Sequence, residues 1–229
     1  MTAEKPIDVA AMRINYDLAQ LLETDIAPTP LAQFNRWFND AVELGREILP
    51  EPNAMVLSTS TPDGTTHSRT VLLKAIDARG LIFYTNYNSA KANEIAQNNQ
   101  VSALFPWYPQ HRQVIVTGTV SRVSREESAE YFASRPYKSQ LGALVSAQSS
   151  EIIDRSELER TFAELEAKYP QDHPVPMPEH WGGYLINVSA MEFWQGRRSR
   201  LHDRLKYLAT GNDTDISTSG QWRVVRLSP

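Results

Sequence analysis

Between residues 54 and 86 the chain repeats one rhythm: a short branched or aromatic run, a tight turn, then another such run. This limits its fold more than any other feature. Ala54–Ser60, His67–Ile76 and Leu81–Asn86 read as strands, with turns at Pro62-Asp63-Gly64 and around Asp77–Gly80. Strands joined so closely form an antiparallel meander. Further strands are expected at Val101–Trp107, Gln113–Val123, Gly183–Trp194, Arg200–Leu208 and Gln221–Leu227. Helical spacing of Leu31, Phe34, Phe38, Val42 and Leu44 predicts a helix from Leu31 to Ile48, ended by Pro50 and Pro52. Asn88 or Ser89 is placed to cap a helix to Asn99, and the Ser124/Glu127 capping box opens another to Ser134. After Pro136 a helix should start near Ser139 and reach Ala147; a second capping box, Ser156/Glu159, opens one lined by Leu158, Phe162, Leu165 and Tyr169. The sum is a mainly β, α+β chain: a small antiparallel barrel with peripheral helices.

No internal repeat or composition break divides residues 31–229, which read as a single domain, while residues 1–30 read as a mobile arm ending in Ala27-Pro28-Thr29-Pro30. A net charge of −4 argues against a general nucleic-acid binder, so any basic site must be local. The absence of cysteine excludes disulfides and thiolate chemistry. No apolar run approaches the roughly 18 residues of a membrane span, and the N-terminus lacks a signal-peptide pattern, so a cytoplasmic location is expected. The five histidines show no zinc spacing, so no metal is expected. Nucleophile-elbow, phosphate-loop and dinucleotide-fingerprint motifs are missing.

Four stretches carry candidate chemistry. Arg69-Thr70-Val71-Leu72-Leu73-Lys74 bears a cation at each end of a buried-looking strand. Strict alternation puts Arg69 and Lys74 on opposite faces, so one shared anion site needs a bulge, or the two serve separate ligands. Tyr84-Thr85-Asn86 leads into Ser89-Ala90-Lys91, a hydroxyl and a lysine at a helix N-terminus and hence a ready phosphate site. Tyr131 and Arg135 share a helix face, with Ser139 at the next helix start, where backbone N–H groups face outward. Last comes Glu192–Arg204, Glu-Phe-Trp-Gln-Gly-Arg-Arg-Ser-Arg-Leu-His-Asp-Arg; if its second half is extended, Arg200, His202 and Arg204 share one face. Such a set suits an anionic, planar or phosphorylated ligand, though each stretch can equally be a solvated or capped surface.

The Trp-Gln-Gly lead-in and Arg-Leu-His-Asp-Arg finish of the last stretch resemble the C-terminal signature of the pyridoxamine/pyridoxine 5'-phosphate oxidases, flavoproteins of vitamin B6 metabolism. Tyr-Phe-x-Ser-Arg-Pro-x-x-Ser-Gln at 131–140 resembles their substrate-phosphate clamp, and Trp181-Gly182-Gly183 and the final Arg226-Leu227-Ser228-Pro229 also fall in order. The likeness runs from about residue 31 to Pro229. It implies an FMN-binding split β-barrel and a homodimer with sites between subunits. It also implies oxidation of pyridoxine or pyridoxamine 5'-phosphate to pyridoxal 5'-phosphate. There FMN accepts a hydride equivalent from C4' and dioxygen reoxidises it with release of hydrogen peroxide; ammonia leaves from the amine substrate.

By the same likeness Lys74, Tyr131, Arg135 and Ser139 fix the substrate phosphate, Arg200 and His202 lie over the pyridine ring, and Arg13 and Tyr16 belong to an arm folding over substrate. The flavin falls to Arg69–Lys74, Tyr84, Thr85, Lys91, Gln113, Gln148, Ser149, Trp194 and Arg204. The family usually has Arg-Lys where this chain has Ala90-Lys91, so one flavin-phosphate contact is missing or supplied from elsewhere. Two other readings stay open: a related flavin oxidase of another small molecule, such as a phenazine precursor, and a pyridoxal-phosphate or flavin carrier without turnover.

Overall fold

The computed structural model describes residues 8–12, 15–16, 18–212 and 214–229. Arg13 lies outside them. Nine strands form one antiparallel sheet: β1 (Ala54–Ser60), β2 (Thr66–Leu72), β3 (Ala75–Asp77), β4 (Gly80–Asn86), β5 (Gln100–Trp107), β6 (Arg112–Arg122), β7 (Trp181–Gln195), β8 (Asp203–Ala209) and β9 (Trp222–Arg226). Among the described residues five α-helices flank it: α1 (Pro30–Glu43), α2 (Ala90–Gln97), α3 (Arg125–Ser134), α4 (Tyr137–Val145) and α5 (Arg155–Lys168). No described helix is long and apolar enough to cross a membrane.

The sheet runs β2-β1-β5-β6-β7-β4-β3, and it divides at β7. The first half of β7, Trp181 to Ile186, pairs with β4, and its last six residues, Ala190 to Gln195, pair with β8, which carries β9. β6 follows β7 along nearly its whole length, with a bulge between Thr117 and Gly118 that turns the pair. A Cβ on Gly118 would lie 2.0 Å from the Asn187 carbonyl oxygen, so only glycine permits that approach. This is the split barrel that the family resemblance implies.

The core is aromatic. Phe34 and Trp37 of α1 meet Phe105 and Phe193 edge-on at 5.1 and 5.2 Å, over Met55, Leu57, Val114, Val116 and Tyr207. Full burial of each such side chain contributes about 1.5–3 kcal/mol. A second cluster, Phe132, Leu141, Val175 and Trp181, receives Phe162, Leu165 and Tyr169 and so holds α3, α4 and α5 beside the sheet.

Several boundaries differ from expectation for local reasons. Thr29 caps α1 and Gly45, in a left-handed conformation, ends it, so the helix does not reach Ile48, and Val42 is exposed. Asp154, not Ser156, accepts the Glu157 N–H and caps α5. The strand expected over His67–Ile76 breaks after Leu72, where Asn53 exchanges hydrogen bonds with the Leu73 backbone. Residues from Leu21 on belong to the folded body rather than to an arm, because Leu21 is buried and its N–H donates to the Asp203 carboxylate.

Candidate active site

A cavity of ≈ 760 Å³ opens between β2, β4, the N-terminus of α2 and the α3–α4 pair. Arg69, Thr70, Val71, Leu72, Lys74, Tyr84, Thr85, Lys91, Arg135, Ser139, Gln148 and Ser149 all line it. The break after Leu72 removes the parity conflict: once the chain leaves the strand, Lys74 and Arg69 can border one space. Leu73 is turned into the core instead.

Lys91 is buried at the start of α2, where its Nζ donates to Gln148 Oε1 (2.8 Å), Thr85 Oγ1 (3.2 Å) and Ser89 Oγ (3.3 Å), all neutral acceptors. Burial pulls its pKa down, nearby Arg69 pulls the same way, and Glu94 opposes both. Ser89 makes no side-chain cap, so the first-turn amides of α2 keep their capacity for an anion. Arg69 is bound to the protein: it pairs with Glu94 at 3.1 Å and donates to the Leu57 and His67 carbonyls. For Glu94, burial pushes the pKa up, but hydrogen bonds from Thr59 and Arg69 overcome it and hold the carboxyl below its usual value.

Arg135 behaves differently. It leaves α3 in an extended conformation rather than continuing the helix with Tyr131, and its guanidinium lies 4.8 Å over the Trp181 ring. Its Nη1 is buried with no hydrogen-bond partner, and burial lowers its pKa. Tyr131 stacks on Tyr84 at 4.0 Å, and Tyr84 on Trp181 at 5.4 Å, an aromatic wall in which burial pushes the Tyr84 phenol up to about 12. The neighbouring glycines permit this packing: a Cβ on Gly183 would sit 2.7 Å from the Tyr84 ring. α4 starts at Tyr137, before the expected Ser139, and the Ser139 N–H is spent on the Pro136 carbonyl, while Ser139 itself lines the cavity.

The remaining candidates gather at the other end of β7. Gln113, Trp194 and Arg204 stand opposite one another on β6, β7 and β8 and so share one face. Arg204 donates to Glu192 (2.7 Å) and to the Ser228 carbonyl, so its guanidinium is engaged within the chain. The extended face expected over Arg200, His202 and Arg204 does not form: Arg198–Arg200 make a tight turn with Ser199 and Arg200 left-handed, and β8 begins at Asp203. His202 still reaches Trp194, at 4.6 Å, and Tyr16 meets both rings edge-on at 5.7 and 5.9 Å. Its Nδ1 accepts the Arg197 N–H (3.0 Å), which leaves the proton of the neutral ring on Nε2. Burial first, then Arg200, lower its pKa, against a smaller opposing pull from Asp203.

Trp181 and Trp194 lie near opposite ends of the 15-residue β7, which at about 3.3 Å per residue runs roughly 45 Å along its contour. One chain therefore carries two separate groups. Sequence reasoning passed over Glu94, although its spacing from Lys91 puts both on one face of α2, and Asp203, which accepts from Leu21, Arg197 and Arg226 and whose distant partners no local pattern reveals. Among the described residues no cluster of potential metal ligands occurs.

Residues 42–169 match the family profile described as pyridoxamine 5'-phosphate oxidase, and residues 181–229 match the pyridoxine 5'-phosphate oxidase C-terminal dimerisation region. A pyridoxine/pyridoxamine 5'-phosphate oxidase of Streptomyces avermitilis is 51% identical over 100% of both chains, and one of Rubrobacter xylanophilus is 50% identical over 97% of each. Among solved structures, PhzG of Burkholderia lata, in complex with tetrahydrophenazine-1-carboxylic acid, superposes with a TM-score of 0.80 at 31% identity, covering 91% of this chain and 98% of that one.

Proposed function

The chain belongs to the pyridoxine/pyridoxamine 5'-phosphate oxidase family and is an oxidoreductase, and from that premise we propose that it oxidises pyridoxine or pyridoxamine 5'-phosphate to pyridoxal 5'-phosphate. Dioxygen is the acceptor, hydrogen peroxide the by-product, and the amine substrate also takes up water and releases ammonia. Arg135 carries the reading. A buried guanidinium nitrogen without a partner is costly unless an anion completes it, and Lys74 and Ser139 border the same space.

The residues also suit FMN. Lys91 beside the open N-terminus of α2 fits a phosphate, while Thr85, Gln148 and Ser149 offer hydroxyls and amides to a polar ring edge. FMN bound there would supply the two-electron redox chemistry. The chain's own part is to bind and orient. Arg135, Lys74, Ser139 and, behind them, Tyr131 hold the substrate phosphate; His202 offers its Nε2 proton and Arg200 its charge to the pyridine ring; Tyr16 covers it.

These two groups act together if the subunits of a homodimer each lend one end of β7, so that Gln113, Trp194, Arg200 and His202 of one complete the cavity of the other. Their separation along β7 and the match of 181–229 to a dimerisation region support this arrangement. A phenazine-type substrate carries a carboxylate rather than a phosphate and need not keep this clamp, so the intact set of Arg135, Lys74 and Ser139 disfavours it.

The test is a visible spectrum of the purified protein followed by oxygen uptake. A yellow protein that consumes oxygen with pyridoxine 5'-phosphate is expected. A colourless preparation that refuses added FMN defeats the proposal, and a flavoprotein silent toward both vitamers points to a carrier or to another substrate.

A further inference from the structure

Asp203 is the acidic residue next to His202, and nothing above gives it a part in the reaction. It is buried at the first position of β8. Its Oδ2 accepts the Leu21 N–H (3.0 Å) and an Arg197 guanidinium N–H (3.1 Å), and its Oδ1 accepts from Arg226 (2.9 Å). Three segments distant in sequence thus converge on one carboxylate. One of them, Arg197, hydrogen-bonds His202, and Tyr16, five residues before Leu21, packs on the His202 ring.

Arg197 is the residue whose backbone N–H donates to His202 Nδ1, and the bond closes a loop holding the left-handed pair Ser199 and Arg200. Two successive non-glycine residues in that conformation are costly and persist only where the surroundings hold them. The guanidinium of Arg197, fastened to Asp203 and to Gln20 Oε1 (3.2 Å), is such a hold. Leu21 lies a few residues after Tyr16, whose ring rests on His202 and on His111. The seat is close-fitting: a Cβ on Gly196 would fall 2.8 Å from the Tyr16 ring. A lone structural ion pair would require one arginine. Asp203 instead fastens both the loop behind the imidazole and the segment in front of it.

We propose that Asp203 is a positioning residue for the oxidation: through Arg197 it fixes His202 as the Nε2–H tautomer, and through Leu21 it seats Tyr16 against that ring. The inference rests on the reading that His202 faces substrate, but the state of the imidazole is measurable without turnover. Asp203→Asn keeps the shape and removes the charge that holds both arginines. Arg197→Ala cuts the link to the loop while keeping the backbone N–H.

In the FMN-loaded protein, nitrogen NMR of His202 is expected to show one tautomer, with Nδ1 unprotonated. In D203N and in R197A the two ring-nitrogen resonances should move toward each other as the tautomers exchange. Arg226→Ala removes the other guanidinium and should lower the melting temperature while leaving those resonances in place. Turnover in D203N should fall about 10–100-fold, the scale of a lost outer-shell orienting group. The double variant D203N/R197A should be no slower than the slower single one. Unmoved His202 resonances in both single variants, or losses that multiply in the double one, overturn the proposal. Should D203N fail to fold, R197A and R226A alone decide it, since R226A shifting the imidazole as far as R197A would reduce Asp203 to a purely structural anchor.

Discussion

Apart from Arg69, which Glu94 pairs, the two ends of β7 treat their cations in opposite ways. In the cavity at the Trp181 end, Lys91 touches only neutral oxygens and Arg135 keeps a buried nitrogen without a partner. In the patch at the Trp194 end, most of the conspicuous arginines are neutralised: Arg197 by Asp203, Arg204 by Glu192, and Arg226 by Asp203 and Glu23. Charge density in the sequence therefore misleads. The Arg-rich stretch is the more eye-catching, yet much of it is internal scaffolding that presents Arg200 and His202. The quieter end is left charged, because its countercharges are expected from a ligand.

The largest effect should come from Arg200, which has no carboxylate partner among the described residues. Arg200→Leu is expected to lower turnover roughly 10²–10³-fold, the scale of removing one preorganised charge or donor, while flavin absorbance stays unchanged. Kinetics equal to wild type would remove this arginine from the mechanism. The comparison can also be broken by mixing. If each site takes its cavity from one subunit and its patch from the other, unfolding and refolding R200L with R135A, assayed at substrate far below the R135A Michaelis constant, should restore about a quarter of wild-type activity, since half the dimers carry one intact site. No recovery would put both ends in one subunit's site.

Next in size is Arg135→Ala. Substrate binding should weaken by about 1.5–3 kcal/mol, the range for a hydrogen bond to a charged group, with the change in the Michaelis constant. A Michaelis constant indistinguishable from wild type would mean that the orphaned nitrogen serves no phosphate. Lys91→Met tests the flavin end: FMN affinity should fall by about 1.5 kcal/mol, at the low end of that range, while the apoprotein melts no lower because a desolvated charge has gone. A fall in the apoprotein melting temperature would make Lys91 scaffolding, like Arg204.

Much of the fold and of the cavity is legible in the sequence, whereas the contrast between the two ends is not, and the limit is physical. The strands and the Ser124 cap follow from local patterns that act within a few residues, so they could be read directly. Alternation failed at Lys74 and at Arg200 for one reason: a distant or irregular backbone contact overrides the strand. Asn53 takes the Leu73 backbone out of the ladder, and the Arg197 N–H turns toward the His202 ring. The cavity residues were nameable from their resemblance to a family. That Arg204 and Arg69 are held by buried carboxylates was not, since Glu192 and Glu94 become partners only once the sheet and α2 are packed.

The smallest expected effect concerns pH and separates the two ends without touching turnover. No histidine lines the cavity, whereas His202 belongs to the patch, facing Tyr16 and Trp194 with Arg200, Asp203 and Arg197 around it. Its folded pKa lies below the ordinary histidine value, chiefly through burial, so the unfolded chain binds the proton more readily. Stability from this group is therefore complete above the unfolded value of about 6.5 and declines as pH falls below it toward the folded one. Because the ring is partly exposed, solvent screening keeps the effect well under about 1 kcal/mol. The measurable form is a difference: between pH 7.5 and 5.5 the melting temperature of the wild type should drop slightly more than that of His202→Asn. An equal or larger drop in the variant would show that His202 is not held in its neutral form by the fold, and the tidy division between a charged cavity and a neutral imidazole would no longer stand.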